Sequence, residues 1–298
     1  MKLKKCLINI FALMSMMTII GCSNDDAKEN NVVKSEDKTY GEDSIVVATS
    51  VAVTEILDEL GVKVSGVPKT SYELPQSTKD AIEIGTPMNP DLEIIKSLNP
   101  DIVVSVDTLG QDFIDTFTQN NIPSEFVNLS SYDGLKETIN TLGKKFDKVE
   151  KANVIISQLE SKESELEAKF NNSEKPNVLV IFGAPGTMML GTSKSYVGNL
   201  VELAGGKNAL ENSSSSFVQI NKEELLNINP DKIVVMTHAD PETTKAQVKE
   251  TLENDAAWKT SRSGKPDSWS IMLSKEDGDQ RGKYEKKGTV IFNGVRKP

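Results

Sequence analysis

The sequence predicts an α/β protein of two Rossmann-like lobes with parallel sheets, joined by one long helix. Three observations carry this. From Ser44 onward, β-branched runs alternate with helical patterns, an order that builds parallel sheets with helices on their faces. Lys148–Phe170 contains no Gly or Pro, is rich in Glu, Lys, Ala and Leu, and is too long for a crossover loop. The third is an internal repeat. Asp91-Leu-Glu-Ile-Ile-Lys-Ser-Leu-Asn-Pro-Asp-Ile-Val-Val matches Asn221-Lys-Glu-Glu-Leu-Leu-Asn-Ile-Asn-Pro-Asp-Lys-Ile-Val-Val, with Pro100 and Pro230 offset by 130 residues. One repeat at that distance implies two similar lobes rather than a solenoid.

In the first lobe, Ile45–Ala48, Lys63–Val67, Ile102–Val106 and Ser124–Val127 read as buried strands. Thr54–Leu60, Asp91–Leu98 and Gln111–Gln119 read as helices, with Asp and Pro near their starts and Gly61 after an end. A helix stops at each Asn-Pro because proline disfavours helical geometry in the residue before it. In the second lobe, Asn177–Phe182 and Lys232–Met236 read as strands, and Val197–Leu203, Lys222–Asn227 and Pro241–Leu252 as helices. The expected boundaries are a leader at 1–21, a disordered tether at 22–43, a first lobe at 44–130, a linking helix at 131–172, a second lobe at 173–258 and an aberrant tail at 259–298. A rigid linking helix allows little hinge motion and puts a ligand in the cleft between lobes.

The leader fixes where the chain works. Lys2, Lys4 and Lys5 precede an apolar run from Cys6 to Ile20, too short for a spanning helix, and Gly21 then precedes Cys22. This is the pattern of a bacterial lipobox. Cleavage before Cys22 and lipidation of its thiol would hold the protein on the outer face of the cell membrane, each buried CH₂ contributing roughly 0.8 kcal/mol. The polar run Ser23–Asp43 suits a tether. Cys6 and Cys22 are the only cysteines, so a mature chain of 277 residues forms no internal disulfide. Loss of three leader lysines takes the formal charge from −10 to −13, which excludes a nucleic-acid partner.

The tail departs from the rest. Arg262, Arg281 and Arg296 are the only arginines, and from Lys259 onward ten Lys/Arg face five Asp/Glu. No β/α alternation is legible there. The expectation is a shifted reading frame near Lys259, with a lineage-specific disordered extension as the alternative.

Few residues suggest ligand chemistry. His238 is the sole histidine and follows Ile233–Met236 at the carboxyl end of a strand, where α/β sheets hold ligands. A zinc or manganese site would need several such groups. Met88 lies between two prolines in an irregular segment. Thr49–Thr54 joins a strand to a helix whose amino end suits a carboxylate, so Ser50, Val51 and the Thr70-Ser71-Tyr72 loop are cleft candidates. Gly183-Ala-Pro-Gly186 and Gly191-Thr-Ser-Lys194 lack P-loop spacing and read as strand-end turns. No constellation of catalytic groups is convincing, so no enzyme is expected.

The two-lobe design with a helical spine resembles the helical-backbone substrate-binding proteins of ABC importers. Within them, Glu83-Ile-Gly-Thr-Pro-Met-Asn-Pro-Asp-Leu-Glu, Gly183-Ala-Pro-Gly, Lys194-Ser-Tyr-Val-Gly-Asn-Leu-Val and Leu226-Asn-Ile-Asn-Pro-Asp resemble the haem-receptor lipoproteins of iron-regulated surface determinant systems, from about Ile45 to Trp258. The resemblance implies haem held by one methionine and one histidine from opposite lobes, here Met88 and His238. It implies propionate contacts at the cleft candidates. It also implies docking to the permease through one glutamate on each lobe, at Glu93 and Glu223, seven residues before Pro100 and Pro230. Upstream haem-donor surface proteins and an ABC permease are the expected partners. A ferric siderophore or cobalamin is the alternative cargo, although an arginine-free chain before Arg262 disfavours anionic siderophores.

Overall fold

The computed structural model describes residues 38–170, 174–184, 186–210, 213–220, 227–228, 230–237, 241–254 and 269–272. Strands β1 (Val46–Ala48), β2 (Gly66–Val67), β3 (Ile82–Glu83), β6 (Ile102–Val106) and β7 (Ser124–Val127) form an all-parallel sheet in the order β3-β2-β1-β6-β7. Between them lie a small hairpin of β4 (Gly85–Thr86) and β5 (Asn89–Pro90), and helices α1 (Val51–Leu60), α2 (Leu92–Ser97) and α3 (Gln111–Gln119).

Residue alternation in the central strands explains why both faces of this sheet are covered. Val46, Ala48, Ile102 and Val104 enter one core with Val53, Leu57 and Leu60 of α1, while Val47 and Val103 enter another with Ile95 of α2 and Phe117 of α3. That two-sided burial is the condition for a parallel sheet. The rings of Phe113, Phe117 and Phe126 pack edgewise on the second face, with centroids 5.1 to 6.3 Å apart.

The linking stretch is two helices rather than one. α4 (Tyr132–Lys145) and α5 (Val149–Phe170) fold back on each other through Asp147, which takes a left-handed φ of 54°. They pack closely. A Cβ on Gly143 of α4 would lie 2.5 Å from the Ala152 Cβ of α5. Lys136 bridges the pair, 3.4 Å from Glu163 on α5 and 3.1 Å from Asp133. α5 matches the long helix read from composition, but α4 carries Gly134 and Gly143 and has no sequence breaker at its end. The tether expectation also changes at its end. Tyr40 is buried against Phe146, and its N–H donates to the Lys145 carbonyl at 2.8 Å.

The second sheet is mixed, not purely parallel. β8 (Asn177–Ala184) turns directly into antiparallel β9 (Thr187–Gly191), and the order is β11-β9-β8-β12-β13, with β10 (Lys207–Asn208) also on β8. β11 (Phe217–Gln219) extends the antiparallel side, and β12 (Lys232–Thr237) runs parallel to β8. Helices α6 (Tyr196–Leu203) and α7 (Pro241–Asn254) accompany this sheet, and Val248 and Leu252 of α7 share a core with Leu179, Ile181, Ile233 and Val235. Trp269–Met272, inside the supposed aberrant tail, form β13, parallel to β12 from Ile233↔Trp269 to Met236↔Met272. The tail therefore contributes one strand to this sheet. Two β-prone residues, Trp269 and Ile271, lie within this four-residue edge strand.

The sequence repeat has a physical basis. In the first lobe the Ile45 N–H donates to Asp101 Oδ2 at 2.9 Å, and the Asp101 N–H donates back to the Ile45 carbonyl at 2.9 Å. In the second, the Asn177 N–H donates to Asp231 Oδ2 at 2.9 Å, and the Asp231 N–H returns to the Asn177 carbonyl at 2.8 Å. Each aspartate thus locks the strand it precedes in register with its neighbour. Replacing either aspartate by alanine removes a charge-assisted bond, so Asp101→Ala and Asp231→Ala should each cost about 1.5–3 kcal/mol in denaturant unfolding.

Candidate functional site

The first sheet reverses direction of strand addition between β1 and β6, so its carboxyl edge there is a topological switch point, the usual ligand position in such sheets. Ser50 and Val51 follow β1 at this edge. Ser50 caps α1, its hydroxyl accepting from the Val53 N–H at 3.3 Å, and α1 has no acidic residue in its first turn. The positive end of the helix dipole is therefore left uncompensated by the helix's own side chains, which suits an anion. Thr70, Ser71 and Tyr72 follow β2 on the same edge. Thr70 Oγ1 accepts from the Tyr72 N–H at 3.1 Å, so part of this loop is turn chemistry.

Met88 occupies the tip of the β4–β5 hairpin, whose register pairs Thr86 with Asn89 and leaves Pro87 and Met88 as the turn. The hairpin is pinned to the sheet edge at three places. The Ile84 N–H donates to the Val67 carbonyl, the Lys69 N–H to the Gly85 carbonyl, and the Asp91 N–H to the Ile84 carbonyl, at 2.7 to 2.9 Å. Gly85 has φ +93°, and a Cβ there would meet Asp91 N at 2.8 Å and Asn89 O at 2.9 Å. Met88 is 74% exposed, a large apolar side chain held in solvent by a braced turn. Glu93 lies in the first turn of α2, directly after the hairpin. Its side chain is 85% exposed and pairs with Lys96 at 3.1 Å.

Asp107 escaped the sequence reading. It follows β6 at the switch point, and burial pushes its carboxyl up while a hydrogen bond from Asn128 at the end of β7 opposes the shift. An acidic residue directly after a buried strand was the available signal.

On the second lobe, β12 ends at Thr237 beside Gly183 of β8, which places the chain leading into His238 at a carboxyl edge. His238, Glu223 and Cys22 lie outside the described residues. The glycine motifs are structural. Gly183 is within β8, where a Cβ would meet Thr244 Cγ2 of α7 at 2.8 Å, and Gly186 is in the β8–β9 turn with φ +75°. In Gly191-Thr-Ser-Lys194, Thr192 Oγ1 donates to the Ser215 carbonyl at 2.6 Å and accepts from the Lys194 N–H at 3.1 Å. Among the described residues no group of three or more His, Cys, Asp or Glu could hold a metal ion, and no helix is long and apolar enough to cross a membrane.

Two α/β lobes on a helical spine, with candidate ligand groups at the carboxyl edges, define a substrate-binding protein of the helical-backbone type. The chain belongs to the periplasmic binding protein family, whose model matches residues 46–266. It is 34% identical over 248 residues to the high-affinity heme uptake system protein IsdE of Staphylococcus aureus (strain Newman), covering 83% of this chain and 82% of that protein. The crystal structure of S. aureus IsdE complexed with heme superposes with a TM-score of 0.73 at 33% identity, over 77% of this chain and 90% of that one. An ABC transporter substrate-binding protein from Listeria monocytogenes EGD-e superposes with a TM-score of 0.72 at 34% identity, over 77% and 89%. The protein is thus an IsdE-like receptor of the ABC-importer class, working outside the cytoplasm in association with a membrane, and not an enzyme.

Because Gly85 lets the hairpin close, Gly85→Ala should displace Met88 while leaving the lobe folded. Limited proteolysis should then cut between Ile84 and Asp91 in the variant and spare the wild type.

Proposed function

We propose that the protein captures haem between its lobes and delivers it to an ABC permease. The observation that carries this is Met88. A soft thioether projects into solvent from a braced two-residue turn at the carboxyl edge of one lobe, in a chain 34% identical to a protein named for haem uptake. Thioether sulfur is a weak ligand for most ions and a good one for haem iron. In this reading His238 supplies the opposing imidazole from the second lobe. The α1 amino end with Ser50 and Val51, and the Thr70-Ser71-Tyr72 loop, receive the propionates. Glu93 and Glu223 dock the lobes to basic groups on the permease, and lipidated Cys22 keeps the receptor beside it. Surface haem-binding proteins act as donors.

Titration of the full chain with haemin tests the reading. Wild type should give a Soret band of six-coordinate iron. Met88→Ala and His238→Ala should each shift that band and weaken binding by roughly tenfold or more, about 1.4 kcal/mol per tenfold. A wild type that leaves haemin unbound but retains a ferric siderophore or cobalamin overturns the cargo. Glu93→Ala should leave the titration unchanged and lower haem-dependent growth.

A further inference from the structure

The motif Lys194-Ser-Tyr-Val-Gly-Asn-Leu-Val contributes none of the proposed cargo ligands, yet its residues form a tightly packed corner of the second lobe. Ser195 caps α6. Its hydroxyl accepts from the Gly198 N–H at 3.1 Å and donates to the Thr192 carbonyl at 2.7 Å. A Cβ on Gly198 would overlap the Thr192 carbonyl oxygen and lie 2.8 Å from Asn208 Nδ2, so α6 is pressed onto the β9 end with no freedom to slide. The next residue, Asn199, points out of this rigid corner. Its Oδ1 accepts the N–H of Tyr132 at 3.0 Å, across 67 residues of sequence.

Tyr132 is the first residue of α4, and its N–H is one of the donors that a helix start leaves without an intrahelical partner. It is also fixed on the spine side. Its ring lies under Lys136 Nζ at 4.6 Å, and that ammonium reaches Glu163 of α5. Tyr132 is buried, and burial, with the nearby Glu163 carboxylate adding to it, pushes its phenol up to about 12.

We infer that Asn199 is a positioning residue: it pins the second lobe to the start of the α4–α5 spine and so sets the angle at which the two carboxyl edges face each other. Asparagine suits this place because its carbonyl can accept the orphan amide without bringing a charge. The consequence for cargo rests on the haem reading, but the clamp itself does not. An amide hydrogen bond to one helix start is a small contact. Its leverage comes from its position at the hub, where a small rotation becomes a large displacement at Met88.

The test uses the full-length chain with Cys6→Ser and Cys22→Ser, spin-labelled at Gln119→Cys and Glu250→Cys, one exposed position on each lobe. Without any cargo, Asn199→Ala should broaden the inter-label distance distribution, and Asn199→Asp, which keeps an acceptor, should restore it. Tyr132→Pro removes the donor instead, at a first-turn position that tolerates proline, and should broaden it likewise. Haemin affinity should fall about tenfold in Asn199→Ala and recover in Asn199→Asp, on the scale of one hydrogen bond. A folded Asn199→Ala with the wild-type distribution overturns the inference. So does unfolding of both Asn199→Ala and Tyr132→Pro, which would make the bond a general requirement of folding. A wild type that ignores haemin defeats the cargo assignment alone, and the distance measurement still decides the clamp.

Discussion

Two aspartates, Asp101 and Asp231, set the frame on which the rest of this protein is hung. Each holds the start of its lobe's opening strand by a carboxylate and an amide together, at Ile45 just before β1 in one case and at Asn177, the first residue of β8, in the other. A parallel sheet has no hairpins to impose register, so register must be fixed from its ends. Once β1 is aligned with β6, Val47 faces Val103 and both sheet faces fill with matching side chains. The carboxyl edge is then defined to within one residue. Everything proposed for ligand contact on the first lobe stands on that edge, at Ser50, Thr70 or the hairpin beyond β3.

The hairpin holds a thioether side chain out in water. An unbound methionine would ordinarily fold back onto apolar surface, since its chain is flexible and its burial favourable. Here the two-residue turn leaves it nothing to fold onto, and the backbone bonds at Ile84, Lys69 and Asp91 hold the turn away from the core. The cost of exposing Met88 is borne by the rest of the lobe, where Val46, Val47, Leu57, Ile95 and Phe117 are nearly or wholly sealed.

Much of this was legible in the sequence, and the exceptions have common causes. Gln111–Gln119 was read residue for residue because its apolar spacing is helical and Gly110 precedes it. The Asn-Pro-Asp repeat revealed two lobes because the same turn solves the same register problem twice. The β4–β5 and β8–β9 hairpins were not read. Two-residue strands carry no periodicity, and although Gly183-Ala-Pro-Gly186 reads as a strand-end turn, the short Thr187–Gly191 run after it gives too little pattern to be read as a returning strand. The α4–α5 break was missed because Asp147 adopts a left-handed conformation without glycine, a choice made by the packing of two helices. Tyr40 was hidden among polar neighbours, and one aromatic contact was enough to dock it. Of the site, Met88 and the strand leading to His238 were placed by chemistry and the family resemblance together. Asp107 was passed over because its position directly after a buried strand is a faint signal and a half-buried carboxylate looks like any other acid in a sequence.

On the proposed haem reading, a receptor that grips iron from two sides must solve a distance problem before it solves an affinity problem. If its ligands came from lobes free to swing, ordering them would consume much of the binding free energy. The spine removes that cost in advance. α5 has 22 residues, about 33 Å of helix at 1.5 Å per residue, and α4 is packed along it without room for a methyl group at Gly143. Lys136 joins the two helices in a half-exposed bridge whose own contribution is small, but which fixes the Tyr132 ring beneath it. With α4 and α5 acting as one body, the lobe angle depends on how the second lobe meets the start of α4. Raising the pH probes the same corner. The Tyr132 phenol is held near 12 against an ordinary value near 10, so between those values the unfolded chain ionises and the folded one does not. Stability from this group is full below pH 10 and is lost as pH rises toward 12, on the order of 2 kcal/mol. Tyr132→Phe should flatten that alkaline decline in urea-unfolding curves, and an unchanged decline would mean that the phenol is not held in the folded junction as described.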